Sequence, residues 1–375
     1  MLKTILRYGF FALGLLLWAL PARTQYVTNG SAANIGTNCY QLTSANNFLA
    51  GSVWYLNKVD ISEPFELYCD IFLGCQDADG ADGIAFVLQP ISTSIGIAGE
   101  GLGVQGVVPS FIVEMDTWQN TNQNDPFEDH IAIMKNGVVN HASTNNLAGP
   151  VSILPGNANI EDCAYHKFRI SWNPDSFLFK VYIDCNLRLS YTGDIVSQIF
   201  NGDPNVFWGF TSATGGFNNL QRFCLDYISF TEDLQDAAIC RGESVQLSVG
   251  SGDSFSWTPA TGLSSTTIAS PIATPLNTTT YIATITDACL QQRKDTVTIV
   301  VQDSLTGNLL PDQARVCDND TLFLGTLQPQ LGSTFLWTGN DSSPQLAITQ
   351  PGVYVLQQTN ACSSLIDSIQ ILGQV

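Results

Sequence analysis

Positive charge is scarce in this chain, and so are several other features on which common functions rest. Only 14 lysines and arginines stand against 33 acidic residues among 375, a formal charge of −19. Three of the basic residues, Lys3, Arg7 and Arg23, fall in the first 24 positions, which hold no acidic residue, leaving 11 against 33 (about −22) for the remainder. Such a field repels nucleic acid and anionic membrane surfaces and attracts divalent cations. Helical periodicity is almost absent, and no apolar run reaches the ~20 residues needed to cross a bilayer. No two cysteines have CxxC spacing, which speaks against structural zinc. Neither a nucleophile–histidine pair nor a phosphate-binding glycine loop appears.

What is present begins with an export signal. Lys3 and Arg7 precede an apolar stretch from Phe10 to Leu20, and Pro21, Ala22 and Thr24 form a cleavage zone, so residues 1–24 read as a signal peptide. The expected location is secreted, extracellular or on the cell surface, with no membrane insertion. Ten cysteines follow: Cys39, Cys69, Cys75, Cys163, Cys185, Cys224, Cys240, Cys289, Cys317 and Cys362. An even number on an exported chain points to disulfides.

Short runs rich in Val, Ile, Phe, Tyr and Thr recur between Gly, Asn, Asp, Pro and Ser clusters, which predicts an all-β fold. Composition shifts near 231–238, and two related units follow. One contains Cys240, Phe255-Ser-Trp257, Tyr281 and Cys289; the other contains Cys317, Phe335-Leu-Trp337, Tyr354 and Cys362. In both, the tyrosine precedes the second cysteine by eight residues and a tryptophan lies between the cysteines. These units resemble the small immunoglobulin-like (Ig-like) and PKD-like sandwiches of bacterial surface proteins, in which one bridge with a tryptophan packed on it offsets a thin core. Their matching positions predict Cys240–Cys289 and Cys317–Cys362 bridges. No cluster of polar residues marks a site in them, and they read as spacers.

The chemistry concentrates in Phe111-Ile-Val-Glu-Met-Asp-Thr-Trp-Gln-Asn-Thr-Asn-Gln-Asn-Asp-Pro-Phe-Glu-Asp-His130. A strand would point Glu114 and Asp116 to one face. An oxygen-rich loop then supplies Asn120, Asn124 and Asp125, and His130 opens a second apolar run. Carboxylates and an amide oxygen are ligands calcium prefers, while an imidazole with carboxylates suits a transition ion such as manganese. On composition alone the segment reads more readily as an acidic strand end with a solvated loop.

The spacing Glu-x-Asp-Thr-aromatic-x-Asn, then Asp-Pro, then His five residues after that Asp, resembles the metal site of the legume-type (L-type) lectins, whose domain has the concanavalin A-like architecture. Two further motifs occur in the family's order. Ala81-Asp-Gly-Ile-Ala-Phe-Val-Leu resembles the strand whose aspartate binds sugar after a cis Ala–Asp peptide, and Trp208-Gly-Phe-Thr-Ser-Ala-Thr-Gly-Gly-Phe217 the strand and loop that close the site. Gly101-Leu-Gly103 fits its glycine loop. The pattern is closest to versions in surface proteins of Bacteroidota.

This resemblance implies a legume-lectin-like jelly-roll β-sandwich over 25–232, followed by two small Ig-like sandwiches over 238–302 and 314–372. It implies that Glu114, Asp116, Asp125 and His130 hold a second divalent ion, Mn2+ or similar. Calcium would take Asp116, Asn120, Asp125 and the Trp118 carbonyl. The sugar would meet Asp82, Asn120, the backbone of Gly103 and of Gly216 or Phe217, and the face of Trp118. His141 and His166 match no ligand position, and His166 reads as a satisfied strand-edge histidine. Within the sandwich, Cys69–Cys75, Cys163–Cys185 and Cys39–Cys224 are the expected bridges.

The expected function is therefore calcium-dependent glycan binding and adhesion without catalysis. Two alternatives stay open. A glycoside hydrolase of the same architecture needs a further carboxylate, but the positions that would carry it hold Trp118 and Gln119. An adhesin that binds protein through a degenerate sugar site is the other. Sugar specificity and oligomeric state are not legible.

Overall fold

The computed structural model describes residues 25–94, 100–229, 234–250, 252–317, 320–326, 328–329 and 331–374. The export signal read over 1–24 lies outside the described residues. Strands dominate, and among the described residues no helix is long and apolar enough to cross a membrane.

Two large antiparallel sheets face each other in the N-terminal part. One has seven strands in line, ordered Tyr26–Gly30, Ala50–Tyr55, Asn205–Ala213, Gly83–Gln89, Phe111–Asp116, His130–Lys135, Asn146–Ser152, with Val59–Asp60 pairing onto Asn205–Ala213 off that path. The other runs Asn186–Thr192, Leu178–Ile183, His166–Asn173, Phe65–Phe72, Gln221–Ile228, Cys39–Thr43, Ala33–Gly36. Alternation explains the second sheet: in His166–Asn173, Phe168, Ile170 and Trp172 point inward while their neighbours face solvent or its edge. Together the inner faces form one apolar core that includes Phe65, Phe86, Phe111, Trp172, Phe179 and Phe210.

The first sheet does not alternate. Gly83–Gln89 and Phe111–Asp116 are buried at every position, because the outer face is covered too. Leu102, Val104, Val107 and Val139 from two loops pack there on Ala85, Val87, Ile112, Ala132 and Met134. A strand covered on both faces reads as a continuous apolar run, as these do. Glu114, Asp116 and His130 share the parity of Ile112, Ala132 and Met134, so they lie on this outer face beside the second apolar cluster.

Two smaller sandwiches follow. Ala237–Cys240, Gln292–Gln302, Thr279–Thr286 and Ser254–Thr258 form one sheet, and Gln313–Cys317, Ser364–Gln374, Gly352–Thr359 and Thr334–Trp337 its counterpart. Each has its own core, around Trp257 and Tyr281 in one and around Trp337 and Phe335 in the other.

The bridges correct the sequence-based pairing. Cys39–Cys224 forms as expected, on paired strands. The others are Cys75–Cys163, Cys185–Cys289 and Cys240–Cys362, with Cys69 buried and Cys317 exposed as free thiols. Strand register explains the difference. Cys240 pairs with Gln302 at the far end of Gln292–Gln302, whereas Cys289 sits in the turn before Gln292. Ten residues of strand place them roughly 33 Å apart, far beyond the ~7 Å that a disulfide spans between Cα atoms. Cys317 opposite Gln374 and Cys362 before Ser364 repeat the same separation. Instead, each turn cysteine reaches back: Cys289 to Cys185 in the hairpin between Leu178–Ile183 and Asn186–Thr192, Cys362 to Cys240 of the preceding unit. Cys69 lies inside the strand Phe65–Phe72 with its side chain in the main core, which removes it from Cys75. Bridges therefore join the units, contrary to the expectation that every bridge closes within one, while each sheet still closes within its own segment.

Candidate functional site

Three neighbouring strands of the outer-covered sheet build the site. Gly83 pairs with Asp116, and Asp116 pairs with His130, so the start of one strand, the end of the next and the start of a third meet at one rim. Asp82 stands just before the first, after a cis Ala81–Asp82 peptide. The loop 117–129 leaves the second. A short 3-10 turn, Thr121–Gln123, ends on Asn124 in the left-handed region (φ 63°), a conformation asparagine tolerates better than most residues. The turn brings Asp125 back: its Oδ2 accepts from the Asn120 N–H at 2.7 Å, and Asp116 Oδ1 accepts from the Trp118 N–H at 2.8 Å.

The acidic side chains converge. Asp116, Asp125 and His130 offer ligand atoms within 4.8 Å of one another, and so do Glu114, His130 and His141. Glu114 is 1% exposed, Asp116 3% and Asp125 8%. Burial, then the Asp125 charge, pushes Glu114 well above the usual carboxylate range. Asp116 rises for the same reasons, with Glu114 adding to the effect. Burial lowers His130 to about 4, opposed by Asp125. The ion pairs of Lys167, Arg169 and Arg241 lie elsewhere.

Whether these residues fit divalent ions is decided by their unmatched atoms. Both oxygens of Glu114 and Oδ1 of Asn120 are buried without a hydrogen bond. Leaving such groups unpaired costs several kcal/mol for a charge, and ions held by carboxylate, amide and imidazole donors remove that cost. The donor set fits.

A second patch adjoins it. Asp82 is 3% exposed, and its Oδ2 is buried without a partner. Burial and then Glu100 raise its carboxyl to about 7. Gly215 lies beside it, since a Cβ built there would be 3.6 Å from Oδ2. Trp118 stacks on Phe217, ring centroids 4.2 Å apart. One face of the indole is thus covered by Phe217. Phe217 is 41% exposed and extends the aromatic surface. Gly216 accepts from the Asn47 amide at 2.9 Å. Gly103 has φ +74° in the loop whose Leu102 carbonyl accepts from Thr211 Oγ1 at 2.7 Å. Glu100 of that same loop accepts from the side chains of Asn122 and Gln123, which ties the glycine loop to the metal loop.

Three participants escaped the sequence reading. His141 belongs to the cluster, its Nε2 3.1 Å from Glu114 Oε1 and 3.0 Å from His130 Nε2. Phe48 is 74% exposed, and its N–H donates to Gly215 at the rim. Glu100 was not singled out. None follows from local spacing, because each arrives from a different loop. His166 behaves as read: it opens a strand, with Nδ1 2.6 Å from Asp184 and Nε2 3.2 Å from Asp162.

The serine-rich adhesin for platelets of Staphylococcus aureus strain MSSA476 is 24% identical over 233 residues, covering 56% of this chain and 10% of the adhesin. The chain thus spans about a tenth of the length of the curated relatives it matches. Lectin I-B4 of Griffonia simplicifolia, in a metal-free form, matches with a TM-score of 0.44 at 23% identity, covering 56% of this chain and 93% of that one. The exoplasmic/lumenal domain of VIP36, in a form bound to Ca2+ and Man3GlcNAc, matches with a TM-score of 0.43 at 15% identity, over 54% and 82% of the two chains. Residues 21–227 match the legume lectin beta-barrel domain, and with more than half of its sequence so matched, the chain belongs to the legume-type (L-type) lectin family.

Proposed function

We propose that the protein is a secreted or cell-surface, calcium-dependent carbohydrate-binding protein, a lectin or adhesin without catalytic activity. One observation carries this most: Asp82 presents a buried, unpartnered carboxylate oxygen beside Gly215, one residue before Gly83, which pairs with Asp116 of the acidic cluster. A sugar supplies neighbouring hydroxyls for that carboxylate, and charge-assisted bonds of this kind are the stronger ones. Asn120 keeps its amide oxygen buried without a hydrogen bond, which leaves that oxygen free to hold calcium while the amide N–H2 donates to the ligand. Asp116, Asn120, Asp125 and the Trp118 carbonyl would hold calcium, and Glu114, Asp116, Asp125 and His130 a second ion, which would neutralise the carboxylates and keep the loop in shape. The backbone of Gly103 and Gly216 and the Trp118–Phe217 surface complete the contact, the aromatic pair covering C–H bonds of the sugar ring.

Catalysis is disfavoured by burial. Glu114 and Asp116 are 1% and 3% exposed, beneath the surface on which a glycosidic bond would lie, and Trp118 and Gln119 hold the positions for a further carboxylate. The Ig-like units, over 238–302 and 314–372, read as spacers that carry the 25–232 lectin domain, with 1–24 as the export signal. The adhesin name of the Staphylococcus relatives favours a role in attachment. Glycan-array binding of the metal-loaded protein, with and without chelator, tests the proposal: binding that requires metal supports it, and reducing-sugar release that disappears in Glu114→Gln overturns it.

A further inference from the structure

His141 comes from outside the metal loop. The strand His130–Lys135 runs away from the site, turns at Asn136 and Gly137, and the chain returns to it. That return is stapled down. The His141 N–H donates to the Gln123 carbonyl at 2.9 Å, Asn140 Nδ2 donates to the Asn122 carbonyl at 3.0 Å, and Asn124 Nδ2 donates to Asn140 Oδ1 at 3.0 Å. These bonds bury the imidazole, 3% exposed, against the carboxylates.

The distances are those of ligands around one centre. His141 Nε2 lies 3.0 Å from His130 Nε2, 3.1 Å from Glu114 Oε1 and 3.3 Å from Asp125 Oδ1. Donors held ~2.0–2.2 Å from one ion, at angles between roughly 90° and 110°, sit roughly 2.8–3.6 Å apart. All three separations fall in that range. Glu114 Oε1 lies this close to His141 yet makes no hydrogen bond. Two Nε2 atoms facing each other can share one proton or one cation, and a cation satisfies the carboxylates as well.

We propose that His141 is a direct ligand of the second ion, in place of Asp116 in the set given above, so that this ion is held by two imidazoles with Glu114 and Asp125 and the site selects zinc over manganese. Imidazole suits zinc and copper, whereas a site made mostly of carboxylates suits manganese. The inference rests on the two-ion reading of the site but is independent of the sugar.

The test uses the full chain, stripped with chelator and dialysed against equimolar Zn2+ and Mn2+ with excess Ca2+, then analysed for bound metal. The same stripped protein is loaded with Cu2+, whose electron-spin spectrum counts coordinated nitrogens. Wild type is expected to retain zinc rather than manganese and to show two nitrogens. His141→Ala is expected to show one nitrogen and zinc affinity at least ~10-fold weaker, with calcium content and circular dichroism unchanged. A one-nitrogen spectrum in the wild type, or preferential retention of manganese, overturns the assignment whether or not the variant folds. Loss of metal in His130→Ala but not in His141→Ala also overturns it while leaving the two-ion reading standing. No transition metal retained by wild type refutes both.

Discussion

Chelation is the perturbation whose consequences follow most directly from the acidic cluster. Glu114, Asp116 and Asp125 are buried together, and no lysine or arginine ion pair of the described residues includes them. Two like charges 4 Å apart cost about 4 kcal/mol at an effective dielectric of ~20. An ion present at 100 times its Kd stabilises the fold by ~2.7 kcal/mol, and 1 kcal/mol shifts Tm by roughly 2–4 °C in a domain of this size. Removing one ion should therefore lower the Tm of the lectin domain by roughly 5–11 °C. The pH dependence should also reverse. Without ions, Glu114 and Asp116 have folded pKa values raised above their unfolded ones. Their burial then costs nothing below the unfolded pKa near 4 and progressively more as pH rises toward the folded values. Chelated protein should be more stable at pH 5.5 than at 7.5. Metal-loaded protein should behave oppositely, because protons compete with the ions for the same ligands. Differential scanning calorimetry at both pH values, with and without EDTA, checks this. An unchanged Tm on chelation, or the same pH slope in both states, would refute the reasoning.

Two further outcomes are expected. Glu161 is 2% exposed, accepts from Asn219 Nδ2 at 2.7 Å, leaves no room for a Cβ at Gly80, and is raised by burial to about 8. A raised carboxyl loses stability as pH rises from the unfolded value near 4.3 to the folded one, so Glu161→Gln should gain over wild type between pH 5 and 8, by an amount on the order of 1–3 kcal/mol; urea titrations showing no gain would contradict the assignment. Peptide mapping of the non-reduced protein should yield Cys185–Cys289 and Cys240–Cys362 pairs, with Cys317 alkylated in the native state and Cys69 only after unfolding; a Cys240–Cys289 peptide would contradict the register.

Much of the site was legible because its core is local. Glu114, Asp116, Asn120, Asp125 and His130 fall on one strand end, one loop and the next strand, so their spacing alone brings them together. Asp82 was reached only through the resemblance of its motif to a family strand, and it stands just before the wholly buried strand Gly83–Gln89. His141, Phe48 and Glu100 were not, since each reaches the rim from a loop whose path depends on the folded sheet. The cysteines teach the same point in another way. The two units are equivalent as their sequences indicate, with Cys240 matching Cys317 and Cys289 matching Cys362. Equivalence says nothing about partners, however. Those follow from register, which puts the two cysteines of each unit at opposite ends of its longest strand and leaves the turn cysteine facing the preceding unit. Trp257 and Trp337 are buried as the pattern implies, but their indole N–H groups bond to the carbonyls of Ile268 and Ser343, and they pack in cores without an internal bridge.

The most direct test of carbohydrate binding at this site is isothermal titration of Asp82→Asn beside wild type, both metal-loaded, against a glycan selected on an array. Asp82 contacts neither proposed ion, so the variant should keep its metal content, and because burial already raises this carboxyl its Tm should be no lower than that of wild type. It loses the carboxylate that accepts the sugar hydroxyls, and removal of one partner of a charge-assisted bond costs ~1.5–3 kcal/mol. Affinity should fall by at least ~10-fold. Wild-type affinity in Asp82→Asn, or metal-loaded wild type that binds no glycan at all, would contradict the account.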